Sequence, residues 1–571
     1  MEAGKRTIND IFNGNRVLEI PFFQRAYVWS EKQWERLLED MELMTASNKP
    51  HFLGSVILKQ QKTPSNEVSD VRTLIDGQQR FTTLIIFFKV LCLKTDRNFS
   101  FERLFKLENG ELALWHNHND IESFQRVLNF RELEEIESKD NILKAYNFFK
   151  DKLNLEKLDR QKILNNIMFV AIDLDEQEDE QQIFDTINSL GVRLTTAELL
   201  KNYFFNRNDI DDYETYWKNV FEKDNETKNY WDREMTTGRL RRAFIDLFFY
   251  SYLQIKIYQG ELTIRTEDKI EFSKVEILFE SYKKIIREYN LDKGELLIEI
   301  KEYANLFKEN FDYDITSKQL TRDFGIERIN AIIFGLDTST LIPYVLFVLK
   351  NVADENQRNE LFEFIECYVM RRIVVKATNK NYNQFFTDRL ISSGVISKEQ
   401  FREYLSNRND EVNYLPNDRK LKEGFHESVL INQQSRGIIY FLESRIRDQQ
   451  RQATQLLGIS QYSLEHLMPK RWENQWANVP MQEDKDFRNL KLKTLGNLSI
   501  ITQSLNASIR DSNWETKKKG SERHGGLRYY SGGIETLAPY LDKQEWNEQE
   551  IQNRAEFLFT NAMSIWKVED E

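Results

Sequence analysis

The sequence predicts an α+β fold that is predominantly helical, with a mixed N-terminal part over residues 1–210, a helical middle over 211–420 and a mixed C-terminal part over 421–571. Proline placement carries most of this reading. Pro21, Pro50 and Pro64 are followed by a long proline-free stretch that ends only at Pro343, and so long a stretch without the residue that breaks helices reads as helical. Short strand-type apolar runs gather at the front, at Val17 to Ile20, Phe52 to Leu58, Val71 to Ile75 and Ile167 to Ile172. After the polar stretch Ser406 to Gly424, the best candidate boundary, proline and glycine return and the pattern is mixed again.

The elements follow in chain order. Ser30 with Gln33 forms a capping-box pattern, opening a helix that sets Trp34, Leu37, Leu38 and Met41 on one face. The run Val71 to Ile75 leads straight into a Gly77 turn and a helix bearing Leu84, Ile85, Phe88 and Cys92, a strand–turn–helix unit. Ile167 to Ile172 reads as a returning strand, followed by a helix with Ile183, Phe184 and Ile187 that should stop at Gly191. Thr195 and Glu198 then cap another helix. From about Tyr203 to Leu405 the pattern is of amphipathic helices without a repeat, a scaffold that includes Tyr368, Arg371, Arg372 and Ile373.

Composition bounds the function. With 571 residues, 40% hydrophobic, the chain has material for several cores and is neither disordered nor fibrous. Cys92 and Cys367 are the only cysteines, which excludes a disulfide framework and a cysteine-based zinc site. The start lacks an apolar signal core, and the apolar runs Leu84 to Leu93 and Leu341 to Leu349 are too short for a membrane span, so the expectation is a cytoplasmic protein without a membrane partner. A net charge of −12 argues against passive coating of nucleic acid. A local basic patch nevertheless runs from Arg510 to Arg528 and includes Lys517, Lys518 and Lys519, which can contact phosphates or form a solvated face.

Three polar groups stand out near the N-terminus. Ile75-Asp76-Gly77-Gln78-Gln79-Arg80 puts an acid, a glycine, two amides and an arginine between a strand and a helix. Backbone N–H groups at a helix start favour phosphate, Arg80 can fork onto it, and Asp76 can hold a metal or polarise water; the plainer reading is a helix cap with a solvent-facing arginine. Gln24 and Arg25 lie in the aromatic segment Phe22 to Trp29, which suits a nucleotide ring or, equally, staples the loop to the next helix. Asn188, Gly191, Arg193 and Lys201 form the third group. In this order the blocks resemble the GmrSD, BrxU and SspE group of bacterial anti-phage restriction enzymes, whose N-terminal domain carries a D-G-Q-Q-R signature on a ParB-like fold that binds and hydrolyses nucleotide. The resemblance implies Asp76, Gly77, Gln78, Gln79 and Arg80 in a site for GTP or ATP, with Asp76 catalytic and Gln24 and Arg25 nearby.

Towards the other end, Leu464-Glu465-His466-Leu467-Met468-Pro469 is followed by Gly496-Asn497-Leu498 and Asn506. This resembles an HNH motif, a ββα-metal nuclease unit in which a D-H-x-x-P strand precedes N-L and a further Asn or His. The resemblance implies His466 as general base, Glu465 and Asn506 as ligands of Mg²⁺ or Mn²⁺, and Asn497 as the tether of the loop that orients the imidazole. Glu465 departs from the usual Asp by one methylene, which puts its ligand role in question. Arg510, Lys517, Lys518 and Lys519 complete the candidates as DNA contacts. The whole then reads as a nucleotide-regulated, metal-dependent DNA endonuclease of a modification-sensing, type IV-like restriction system. Its partners would be modified phage DNA and nucleotide, and a homodimer stays open. The alternatives are an NTP-hydrolysing DNA sensor without cleavage and an RNA nuclease toxin.

Overall fold

All four strand-type runs join one six-stranded mixed sheet in the computed structural model, with strand order β1-β6-β3-β4-β2-β5. The described residues are 2–12, 16–22, 24, 26–47, 49–61, 70–137, 140–175, 195–206, 208–237, 240–406, 412–447, 455–521, 524–530 and 534–568. The strands are β1 (Glu2–Thr7), β2 (Arg16–Glu19), β3 (His51–Gln60), β4 (Asp70–Asp76), β5 (Leu114–Trp115) and β6 (Ile167–Leu174). β3 pairs parallel to β6 and antiparallel to β4, while β2 runs parallel to both β4 and β5. β1 and β5, at the edges, escaped the sequence reading: Glu2–Thr7 is polar and Leu114–Trp115 is only two residues long.

Burial separates the two faces of the sheet. Leu18, Val56, Leu58 and Leu74 pack into the main core, and Ile57, Ile75, Ile172 and Leu174 form a second cluster. This alternation is the period of two that a pleated strand imposes. Against the main face lies the Gln78–Lys94 helix, buried on nearly every side from Phe81 to Cys92 and therefore a central helix rather than an amphipathic one. The Glu31–Ser47 helix buries Trp34, Leu37, Leu38, Met41 and Met44. At its start the Gln33 side chain reaches back to the Ser30 N–H at 3.0 Å, one half of the capping box, while the Ser30 hydroxyl donates to Gln33 at 2.9 Å instead of accepting from the backbone. The box at Thr195 and Glu198 is complete and opens the Thr196–Phe204 helix. The helix with Ile183, Phe184 and Ile187 and its stop at Gly191 lie outside the described residues.

The chain divides into two units, Met1–Trp217 and Lys218–Glu571. The second is almost wholly helical up to residue 446, apart from a short hairpin of β7 (Glu234–Thr237) and β8 (Leu240–Ala243). Pro343 sits in the first turn of the Ile342–Asn351 helix, where a missing N–H costs nothing. Packing links the segment from residue 412 onward to the helices before it within this second unit. Fully buried arginines of the Glu355–Val374 helix do this. Arg371 donates to Trp566 O at 2.7 Å and Pro416 O at 3.0 Å and pairs with Asp418, and Arg372 holds Val412 O and Tyr414 O at 2.9 and 2.8 Å. Arg328 meets Glu366 through two hydrogen bonds of 2.7 and 2.8 Å, and Trp566 Nε1 donates to the same carboxylate at 3.1 Å. Among the described residues no helix is long and apolar enough to cross a membrane.

Past the helices, β9 (Tyr462–His466) pairs antiparallel with β10 (Leu498–Thr502), and the Gln503–Ile509 helix follows directly. Arg554 of the Glu548–Ile565 helix, fully buried, donates to Gly496 O at 2.9 Å and Leu498 O at 2.7 Å and so fixes the start of β10.

Candidate active sites

The N-terminal turn is built by β4 and the helix it feeds. Asp76 is the last residue of β4, Gly77 takes a φ of +108° that suits glycine, and the helix begins at Gln78 with no side chain capping it. An uncapped N-terminus of this kind presents backbone donors to an anion. Gln78 is 7% exposed, and its Oε1 has no hydrogen-bond partner among the described residues, an orphaned buried polar atom at the start of this helix. Arg80 does not reach freely into solvent: its Nη2 donates to Asp76 at 2.8 Å, both side chains being about one-fifth exposed. Room for the guanidinium comes from Gly54, a bulge residue of β3 with φ +117°, where a Cβ would collide with Arg80 Nη1.

Gln79 turns the other way. Its Oε1 accepts from the Val28 N–H at 2.8 Å and its Nε2 donates to Ala26 O at 3.3 Å, so it holds the aromatic loop down rather than facing an open turn. That loop is held further by Asp120, which accepts from the Tyr27 N–H at 2.7 Å, and by the Tyr27 hydroxyl against Thr83 at 2.6 Å. These contacts tie the loop to the Gln78–Lys94 helix and to Asp120, and Trp34 Nε1 of the next helix donates to the Tyr27 hydroxyl at 2.7 Å. Gln24 is 2% exposed and accepts from Asn202 Nδ2 at 3.3 Å, while the Oδ1 of Asn202 has no partner. Lys201 is buried beside it in the chain. Arg25, Asn188, Gly191 and Arg193 lie outside the described residues. Sequence reading missed Gly54 and Asn202, although a glycine inside a strand pattern is itself a bulge signal.

In the second unit, His466 closes β9 opposite Leu498. Its imidazole is half-buried and takes no hydrogen bond among the described residues; burial first, then Lys470 and Lys517, push its pKa down to about 4. The ring is therefore neutral near pH 7, with a nitrogen lone pair available. Asn497 is fully buried and satisfied at every amide position. Its Oδ1 accepts from Met468 N–H at 2.8 Å and Trp546 Nε1 at 2.9 Å, and its Nδ2 donates to Met468 O at 2.8 Å and Leu492 O at 3.0 Å. One side chain thus fastens the residues that leave His466 to the start of β10. Trp546 was not foreseen, because it comes from 49 residues downstream. Asn506 lies on the helix after β10, its Nδ2 turned to Leu464 O at 3.4 Å.

Glu465, expected beside Asn506 as a carboxylate ligand, is 5% exposed and its Oε1 is bound by the Lys517 ammonium. No group of three or more His, Cys, Asp or Glu that could hold a metal occurs among the described residues. Nor does the basic run offer three side chains to DNA. Lys517 is fully buried, and Lys518 is 4% exposed, donating to Lys543 O at 2.8 Å. Helical geometry and the burial of Trp514 turn both inward, leaving Lys519, 66% exposed and paired with Glu515 at 2.7 Å. Arg510 is exposed and holds a φ of +36° at the end of the Gln503–Ile509 helix.

Two family models match the chain: "GmrSD restriction endonuclease, N-terminal domain" over residues 8–205, and "GmrSD restriction endonucleases, C-terminal domain" over 415–561. The first spans the Asp76–Arg80 turn and the second spans Glu465, His466, Asn497, Asn506 and the basic run. No curated protein matches the chain significantly. Both ends carry domains of one kind of enzyme, in the order that enzyme has them, and the chain belongs to the GmrSD restriction endonuclease family, DNA-cutting enzymes of defence against phage.

Proposed function

We propose that the cutting centre is the strand–strand–helix unit around His466, working as an HNH-type nuclease, and that the Asp76–Arg80 turn binds and hydrolyses a nucleoside triphosphate, GTP or ATP. The observation that carries the first half is the neutral imidazole at the end of β9, without a hydrogen-bond partner among the described residues and followed by a loop that Asn497 fastens. In this reading His466 takes the proton of a water as its oxygen attacks the phosphodiester phosphorus and the bond to the leaving oxygen breaks. A divalent cation, Mg²⁺ or Mn²⁺, would supply charge neutralisation at the phosphate, and Asn506 is the residue left to meet it. Exposed Arg510 and Lys519 would meet the DNA backbone.

For the first unit, support comes from the uncapped helix start, which fits a phosphate, and from the orphaned Gln78 oxygen, an acceptor that a ribose hydroxyl or base N–H of the same ligand would satisfy. Asp76 would orient the hydrolytic water, Arg80 would leave Asp76 for phosphate, and Gln24 would face the same ligand, with Arg25 beside it in sequence. The unit would have a ParB-like fold, and nucleotide binding would gate cutting in a bacterial cytoplasm, directed at modified phage DNA.

The test uses the full chain with plain, glucosylated and phosphorothioated DNA, and single-stranded RNA, with Mg²⁺ and with or without each NTP. His466→Ala should lower nicking about 10²–10⁴-fold while basal NTP hydrolysis persists. A His466→Ala protein that nicks like the parent removes the proposed base. Nicking that is identical with and without every NTP removes the gating, and cutting of RNA alone replaces DNA as substrate.

A further inference from the structure

Lys517 is the buried charge that the reaction as read so far does not use. Its ammonium donates to Glu465 Oε1 and to the His466 carbonyl oxygen at 2.7 Å, so it grips the two residues that end β9. Its side chain is 0% exposed and that of Glu465 7%. Successive strand residues face opposite ways, so this grip takes Glu465 inward and leaves the His466 ring on the half-exposed side. We propose that Lys517 is a positioning residue, the resident counter-ion of Glu465, and that this pair rather than a Glu465–metal bond places His466 for cutting. The inference rests on the reading of His466 as the base.

The ammonium is fixed rather than exchangeable. Lys517 rides on the Trp514–Lys519 helix, whose first turn is capped by Asn513 Oδ1 accepting from Thr516 N–H at 2.9 Å. Trp514 Nε1 and Lys518 Nζ both donate to Lys543 O, at 3.0 and 2.8 Å, and the Trp514 ring packs on Trp546 at 5.1 Å between centroids. Trp546 is the same ring that donates to Asn497, which ties this helix to the His466 loop. Gly526 presses against the Lys517 and Lys518 carbonyls so closely that a Cβ would collide with them. Withdrawing Lys517 to admit a cation would leave the buried ammonium without its carboxylate, which is a state proteins avoid. The anchoring helix therefore belongs to the cutting centre although no atom of it need touch DNA.

The experiment compares Glu465→Gln, Lys517→Met, Lys517→Arg and the double variant Glu465→Gln/Lys517→Met in the full chain. Three quantities are read: Mn²⁺ affinity by electron paramagnetic resonance, the denaturation midpoint, and kcat and KM for nicking. Mn²⁺ affinity of Glu465→Gln should stay within about threefold of the parent, or be as undetectable as in the parent, because an engaged carboxylate has little to lose. Glu465→Gln and Lys517→Met should each lower kcat about tenfold or more with KM within about threefold, Lys517→Arg should lose less than Lys517→Met, and the double variant should regain most of the lost midpoint. Loss of Mn²⁺ affinity by about tenfold in Glu465→Gln, or tighter Mn²⁺ binding in Lys517→Met, would make Glu465 a metal ligand and overturn the proposal. So would a double variant as unstable as the two losses added. If instead His466→Ala still cuts while these Mn²⁺ and midpoint results hold, the base assignment fails and the Glu465–Lys517 pair stands.

Discussion

Asn497→Ala is the perturbation that most directly probes how the proposed cutting centre is held. The wild-type amide makes four hydrogen bonds between 2.8 and 3.0 Å from a fully buried position, two accepted from Met468 N–H and Trp546 Nε1 and two donated to Met468 O and Leu492 O. Alanine leaves both donors facing no acceptor. An unsatisfied buried donor costs about 1–3 kcal/mol, so the two together cost about 4 kcal/mol before any relaxation. For the unit Lys218–Glu571, at an unfolding entropy of about 2.1 cal/mol/K per residue, a loss of that size lowers Tm by about 5 °C. Nicking, measured below the new Tm, should fall about 10²-fold or more, because Met468 follows His466 by two residues and its backbone would lose both contacts to the amide. Asn497→Asp should be worse still, since it places a buried anion with an oxygen against the carbonyls of Met468 and Leu492. The reasoning is refuted if Asn497→Ala melts within about 2 °C of the parent, or if Asn497→Asp is the milder of the two.

Gly54→Ala should displace Arg80 and weaken nucleotide binding by about tenfold, measured by calorimetry, because the new Cβ falls on Nη1 at a backbone angle that disfavours alanine. Gln79→Ala should speed amide exchange at Val28, whose N–H it now holds at 2.8 Å, while exchange deeper in the Gln78–Lys94 helix stays slow. His116 is 3% exposed, its Nε2 lies 2.8 Å from the Thr82 hydroxyl, and burial lowers its pKa to about 3. The unfolded state takes that proton near the ordinary value of about 6.5, so between that pH and about 3 the unfolded chain holds more protons and stability falls as pH falls, by about 1.4 kcal/mol per unit. Denaturation of His116→Gln should show a flatter acid dependence over the same window. Lys519→Glu should weaken DNA association and reduce its salt dependence by about one phosphate contact, read from binding isotherms at several salt concentrations.

Local pattern and motif determined a good deal by themselves. The four inner strands, the strand–Gly77–helix turn and the Thr195–Glu198 cap are readable along the chain, because alternation, capping and turn chemistry act over a few residues, whereas the pairing of the Glu465-His466 strand with the one that follows Asn497 was expected only from the resemblance to an HNH motif. The edge strands were not readable, since a polar strand and a two-residue strand owe their state to neighbours in the sheet rather than to their own composition. The sites divide in the same way. Residue types and their order point to His466 and Asn497 as the proposed cutting centre and put Asp76 to Arg80 at a turn, but the direction of each side chain depends on what packs behind it. Gln79 turns to the 26–29 loop, and Lys517 goes inward to Glu465 from 52 residues away. Along the chain, Lys517, Lys518 and Lys519 are three equivalent charges. Only the tertiary structure separates them, because burying an ammonium is tolerable where a carboxylate and a carbonyl are already in place to receive it.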